Sequence, residues 1–152
     1  MHIGNYLALI HGSEQQLADA LDTIAAHHGD EPDILQTCQL LACWSRQHLE
    51  LLKPIVDRYS EDKNDEPERL SSTLFDEPRN GSLALLRDLH DLWLLAHEVQ
   101  LCWTVLIQAA QALRDRELLA TCQQCSVDTK RQISWLMTRI KQAAPQALVV
   151  AA

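Results

Sequence analysis

ILQTCQLLACWSRQHLELLKPIVDRY, residues 34–59, is the stretch on which the architecture turns. Ile34, Cys38, Leu41, Ser45, His48, Leu52, Ile55 and Tyr59 recur at alternating steps of three and four, which is one face of an α-helix. Leu35, Ala42, Leu49 and Val56 widen that face to the breadth of a core-facing helix, with Ala42 its smallest member. Two residues of the stripe, Ser45 and His48, are polar. A buried His needs a hydrogen-bond partner, and Ser45 one turn back is available to His48, as are groups on facing helices. Pro54 removes one helical hydrogen bond and predicts a bend near Glu50.

The same period extends outward in both directions. Upstream, Tyr6, Leu9, Ile10, Leu17, Leu21 and Ile24 predict a helix over about 5–28, with Gly12-Ser13 as an interruption point. Gly29-Asp30-Glu31-Pro32 ends it, and Pro32 suits the first turn of the next helix, about 32–59. Downstream, Leu85, Leu89, Leu92, Ala96, Val99, Trp103, Leu106, Ala110 and Leu113 form one stripe, predicting a helix over about 82–113. Continued in phase, that stripe would meet Glu117, Thr121, Gln124 and Asp128. The apolar residues instead move to Leu118, Cys122, Cys125, Thr129, Ile133, Leu136 and Ile140. The shift predicts a turn at Arg114-Asp115-Arg116, with Asp115 as N-cap of a fourth helix over about 116–144. Pro145 ends that helix, and the Ala/Val tail docks or frays.

Between the second and third helices, residues 60–81 are polar, acidic and interrupted by Pro, with Leu70, Leu74 and Phe75 as a candidate docked helix. About 20 extended residues reach roughly 65 Å. A helix of about 28 residues is roughly 42 Å long, so this segment can travel the length of a bundle. The connections therefore read short, long, short. Short turns make antiparallel neighbours, and the long one lets helices two and three run parallel.

Bulk properties narrow the function classes. A chain of 152 residues is one domain by size, 1–152. Its 47% hydrophobic and 22% charged content is that of a globular protein. A formal charge of −8 and the lack of a basic cluster argue against nucleic acid and anionic membrane. No apolar run has the length of a membrane span, and no signal-peptide pattern stands at the N-terminus. Five cysteines without a spacing framework suit a reducing cytoplasm.

Ser45-Arg-Gln-His48-Leu-Glu-Leu-Leu52 in the second helix and Asp128-Thr-Lys-Arg-Gln-Ile-Ser-Trp135-Leu136 in the fourth resemble the corresponding parts of the ferritin-like superfamily. The likeness spans the four helices and extends to bacterial ferritin-like stress proteins of unknown activity. It implies an all-α, ferritin-like four-helix bundle with a crossover between helices two and three. In the metal-binding members, helices one and three each supply a Glu, and helices two and four each supply Glu-x-x-His. Here the second and fourth helices offer Ser45 with His48 and Thr129 with Gln132, so these read as vestiges of a site. Glu14 could be the first-helix carboxylate, and the third helix offers His90, His97 and Glu98, none of them on the centre of its apolar stripe, where His90 and His97 read first as solvated or hydrogen-bonded rim histidines. Hydroxyls and amides substitute poorly for bridging carboxylates, so neither di-iron oxidation nor iron storage is expected.

Other constellations rank lower. Cys122-Gln-Gln-Cys125 has the spacing of a redox pair, but it falls inside a helix on the apolar stripe, where Cys acts as a small hydrophobe. Cys38 and Cys43 lie about 140° apart around their helix and cannot readily face one metal. His27-His28 at a helix end reads as dipole compensation. Leu94, Leu101 and Val105, with Glu98 between them, form a second apolar face on the third helix. Such a face predicts a homodimer, unless Leu74-Phe75 covers it.

The expected protein is thus a cytoplasmic, homodimeric, non-catalytic helical bundle without a cofactor. Its role would be structural, regulatory or interaction-based. A metalloprotein with His/Cys/Glu ligands is the alternative, and a thiol redox protein ranks third. No protein partner is legible.

Overall fold

The computed structural model describes residues 2–62 and 75–150, and among them all regular structure is helical. Four long helices carry it: α1 (Ile3–His27), α2 (Pro32–Arg58), α3 (Ala84–Leu113) and α4 (Arg116–Pro145). On α2, Ile34, Cys38, Leu41, Ser45, His48, Leu52 and Ile55 are all buried, as a 3.6-residue period requires. On α3 the buried stripe runs from Leu89 to Ala110, while Leu113 at its end is exposed. Gly12-Ser13 does not interrupt α1, because Gly12 faces open space and Ser13 is buried within a continuous helix. Pro54 lies inside α2, which continues through it to Arg58.

Side-chain bridges between the helices set their directions. Glu14 meets His48, and Arg46 meets Asp22, so α1 and α2 are antiparallel. Asp33 meets Arg139 at one end of α2, and Arg58 meets Asp115 at the other, so α2 and α4 are antiparallel too. His28, just after α1, meets Asp88 near the start of α3. The connection leaving α2 therefore starts at one end of the bundle and delivers α3 at the opposite end, and α2 and α3 run parallel. Residues 75–80 are irregular and Phe75 packs on the core; Leu70 and Leu74 lie outside the described residues.

Three junctions show how the sequence fixes the ends. At the α3–α4 turn, Arg114 adopts the left-handed conformation at φ 55° and Asp115 caps α4 by accepting from the Leu118 amide at 3.1 Å. The same carboxylate accepts from Arg58 at 2.9 Å and from the Tyr59 hydroxyl at 2.5 Å. Burial pushes its pKa up, but these hydrogen bonds and the Arg58 charge outweigh burial and hold it below the usual carboxylate value. At the other end, His27 and His28 do more than compensate a dipole. His28 Nε2 lies 2.8 Å from Asp88, which is fully buried, and His27 Nε2 lies 2.7 Å from the Arg79 carbonyl. Beyond Pro145 the chain forms a single π-type turn, Gln146–Val150, with Ala147 on the core and Leu148, Val149 and Val150 exposed.

The cysteines divide sharply. Cys38, Cys102, Cys122 and Cys125 are buried and unbridged, and Cys43 is exposed. Burial pushes the Cys38, Cys102 and Cys122 thiols up to about 12, and Cys125 is raised as well. A bulky disulfide reagent at neutral pH is therefore expected to modify one thiol rapidly, that of Cys43, and the other four only on unfolding. Rapid loss of Cys122 or Cys125 in the folded protein, read by mass spectrometry, would contradict this packing.

Candidate functional site

Halfway along the bundle, three helices bring charged side chains into the core. Glu14 follows Leu7 and Ile10 on α1 and precedes Leu17 and Leu21, so it occupies a core position on the three-four repeat. His48 occupies one on α2, and Asp128 stands at the margin of the α4 stripe beside Thr129. His48 Nδ1 lies 3.2 Å from Glu14 Oε2, and Nε2 lies 3.0 Å from Asp128 Oδ2. The Glu14 side chain is 0% exposed, His48 1% and Asp128 27%, so one end of this chain of contacts is sealed and the other touches solvent.

The protonation state follows from counting donors. A neutral imidazole has one N–H and one acceptor nitrogen, whereas an imidazolium donates from both. With both acids ionised, only the doubly protonated ring satisfies both contacts. Burial opposes that charge. The hydrogen bond and charge of Glu14, followed by those of Asp128, outweigh burial and raise the His48 pKa.

A polar layer surrounds the triad. Gln132 Nε2 donates to Ser45 Oγ and to the Leu41 carbonyl, both at 3.0 Å. Thr129 Oγ1 donates to the Cys125 carbonyl at 2.8 Å and accepts from Trp103 Nε1 at 3.1 Å. Trp103 stands edge-on to His48 with ring centroids 6.0 Å apart. The four positions singled out as vestigial, Ser45, His48, Thr129 and Gln132, are thus all buried in one polar layer. Glu14 Oε1 and Gln132 Oε1 are buried there without a hydrogen-bond partner.

This arrangement does not fit a di-metal centre. Its one histidine has both nitrogens committed to carboxylates on opposite edges of the ring, so Glu14, His48 and Asp128 do not converge on a point. The contribution of α3 is Trp103, an apolar ring with a donor N–H and no ligand atom. The third-helix candidates lie elsewhere. His90 Nδ1 is 3.0 Å from Arg87, His97 packs against Trp93 with ring centroids 4.0 Å apart and planes tilted by 49°, and Glu98 accepts from the Cys102 thiol at 3.9 Å. The set Glu14, His48, His90, His97 and Glu98 is therefore not one site. Among the described residues no group of three or more His, Cys, Asp or Glu is placed to hold a metal ion. Among the described residues, Ser45 accepts from Gln132 and has no hydrogen bond to His48, so these two do not form a nucleophile–base pair.

Sequence reading reached Glu14 and His48 but missed Asp128 and Trp103 as members of the site. It also missed a second buried charge cluster at the far end. There Asp88 accepts from the Arg79 amide at 3.1 Å and from its guanidinium at 3.1 Å, while Arg79 also meets Asp91 at 2.9 Å. This cluster ties the last residues of the α2–α3 connection to α3 and serves the fold.

No protein-family model, curated protein or solved structure matches this chain, and the geometry of the triad is what makes a prediction. A histidine whose pKa is higher folded than unfolded stabilises fully below the unfolded value of about 6.5, and that stabilisation is lost as pH rises through the folded value. Wild-type stability in urea should therefore fall on the alkaline side of neutrality. His48→Ala should cost about 3–5 kcal/mol at pH 6, because it strands Glu14 in the core, and should lose that alkaline fall. Wild type and variant with parallel stability profiles between pH 6 and 9 would show that His48 carries no charge in the fold.

Proposed function

We propose that this chain is a non-catalytic, ferritin-like helical protein with a structural, regulatory or interaction role. In this reading an ion-paired histidine stands where metal-binding relatives carry a di-metal centre. The single observation that carries it is that His48 presents a carboxylate to each ring nitrogen. Such a ring holds helices together by charge and hydrogen bond, and it has no lone pair left for a metal or a substrate proton. The parallel course of α2 and α3 and the polar layer at mid-bundle support the ferritin-like assignment. Burial of Cys122 and Cys125 with raised thiol pKa values speaks against thiol redox chemistry.

A second reading rests on the two unpartnered acceptors, Glu14 Oε1 and Gln132 Oε1. Buried oxygens without donors are what a bound cation would use, with His48 or Asp128 turning to complete its shell. Elemental analysis of protein purified without a histidine tag separates the two. The ion-paired reading predicts well under one equivalent of iron, manganese or zinc per chain, unchanged after incubation with each metal and desalting. One equivalent of metal, lost in Glu14→Gln or His48→Ala, would overturn it in favour of the second.

A further inference from the structure

The outer side of α3 is poor in charge and rich in exposed apolar side chains. From Leu92 to Leu113, Glu98 is the one Asp, Glu, Lys or Arg, in a chain in which such residues make up 22%. Glu98 is turned toward the α1 side, where it meets Cys102 and adds to the charge around Tyr6. The remaining outward positions are apolar or neutral. Leu94 is 48% exposed, Leu101 61% and Val105 43%, and the described part of the α2–α3 connection leaves them uncovered, with Phe75 packed on the core instead. Uninterrupted apolar runs are short, but by length and mean hydropathy α3 as a whole passes for a membrane span, which corrects the expectation from the sequence, and only 39% of its most apolar window is buried. A helix apolar on all sides is normally covered on all sides.

The face has a shape as well as a composition. Beside Leu94, a trough of about 270 Å³ lies between α3 and α4, lined by His90, Trp93, Leu94, Met137 and Ile140. It is large enough for an aliphatic side chain. The most exposed leucine of α3, Leu101, lies about 10 Å further along the same side of the helix, seven residues at 1.5 Å each. A two-fold axis near His97, with the two α3 helices antiparallel, brings each copy's Leu101 over the other copy's trough. That contact is self-complementary, as a two-fold interface must be.

Charge selects the occupant. At a formal −8, two copies repel wherever their charged faces meet, and the outer side of α3 is where they can approach without that cost. A nucleic acid or an anionic bilayer would need Lys or Arg here, and a basic protein would need carboxylates. The size is of the right order: two adjacent helices of 30 residues present at most about 45 Å by 20 Å in projection, or about 900 Å², against the roughly 800 Å² per partner of a standard interface.

We propose that this face is an interface between two copies of the chain, packed about a two-fold axis near His97 so that each Leu101 fills the trough between Trp93, Leu94 and Met137 of the other. It is independent of the central triad.

Sedimentation at tens of micromolar tests it. Wild type is expected to be a dimer. Leu101→Glu and Met137→Glu should each raise the dissociation constant about thirtyfold or more while the helical circular dichroism stays unchanged. Leu40→Glu, at an exposed leucine on α2, should leave the dimer intact. His97→Cys in a Cys43→Ser background should form a disulfide-linked dimer under mild oxidation, because a residue next to a two-fold axis faces its own copy. A monomeric wild type overturns the proposal. So does a dimer that survives both charge substitutions, or one that Leu40→Glu alone dissociates. Leu101→Glu that unfolds as a monomer would assign the face to an internal contact, and a monomer that floats with phosphatidylcholine vesicles would assign it to lipid.

Discussion

The imidazole of His48 lies between two carboxylates at a level of the bundle where one of them, Glu14, has no access to water. Charges in such a place are tolerated only when each finds its opposite, since the attraction must offset a desolvation cost of several kcal/mol per ion. Glu14 comes from α1, His48 from α2 and Asp128 from α4, so the requirement binds three helices at one height. Apolar side chains alone would not impose this. Leucines slide past one another at modest cost, whereas a slip of one turn between α1 and α2 would leave a buried charge without a counter-ion. We therefore infer that the triad specifies register more than it adds net stability.

The fourth helix of the set is placed by different means. α3 reaches the polar layer through Trp103, whose N–H is satisfied by Thr129 and whose ring walls the imidazole. Its start is fixed by Asp88 between His28 and Arg79, and its end by the capped turn at Asp115, where Arg58 and Tyr59 of the α2 terminus converge. Both ends of the long connection are thus anchored by charge-assisted hydrogen bonds, which are stronger and more directional than apolar contacts. That suits a connection with little apolar surface of its own.

Much of the fold was legible because helical periodicity is a local property. The α2 stripe from Ile34 to Ile55 is buried residue by residue as its spacing predicts, and the phase shift after Leu113 marked a turn that carries neither Gly nor Pro. The site was legible only where a polar residue interrupted an apolar stripe, as His48 does. Asp128 escaped because it lies at the edge of its stripe, where a carboxylate ordinarily faces water. Trp103 escaped because an aromatic on a stripe reads as core, and nothing in the spacing says that its N–H will meet Thr129. Asp88 paired with His28 is a contact across 60 residues, and no local pattern encodes it. His90 and His97 read first as rim histidines, with Glu98 beside them as a lesser ligand candidate, and each of the three is engaged on the flank of α3.

The central claim is that the imidazole is doubly protonated inside the fold, and nitrogen NMR of the His48 side chain reads this directly. In protein labelled with ¹⁵N at histidine, with His48→Gln used to assign the signal, both ring nitrogens should show imidazolium shifts at pH 7. They should keep those shifts above the ordinary histidine value of about 6.5. A neutral ring at pH 7, with one protonated and one bare nitrogen, would contradict the account and leave His48 free to ligate a metal.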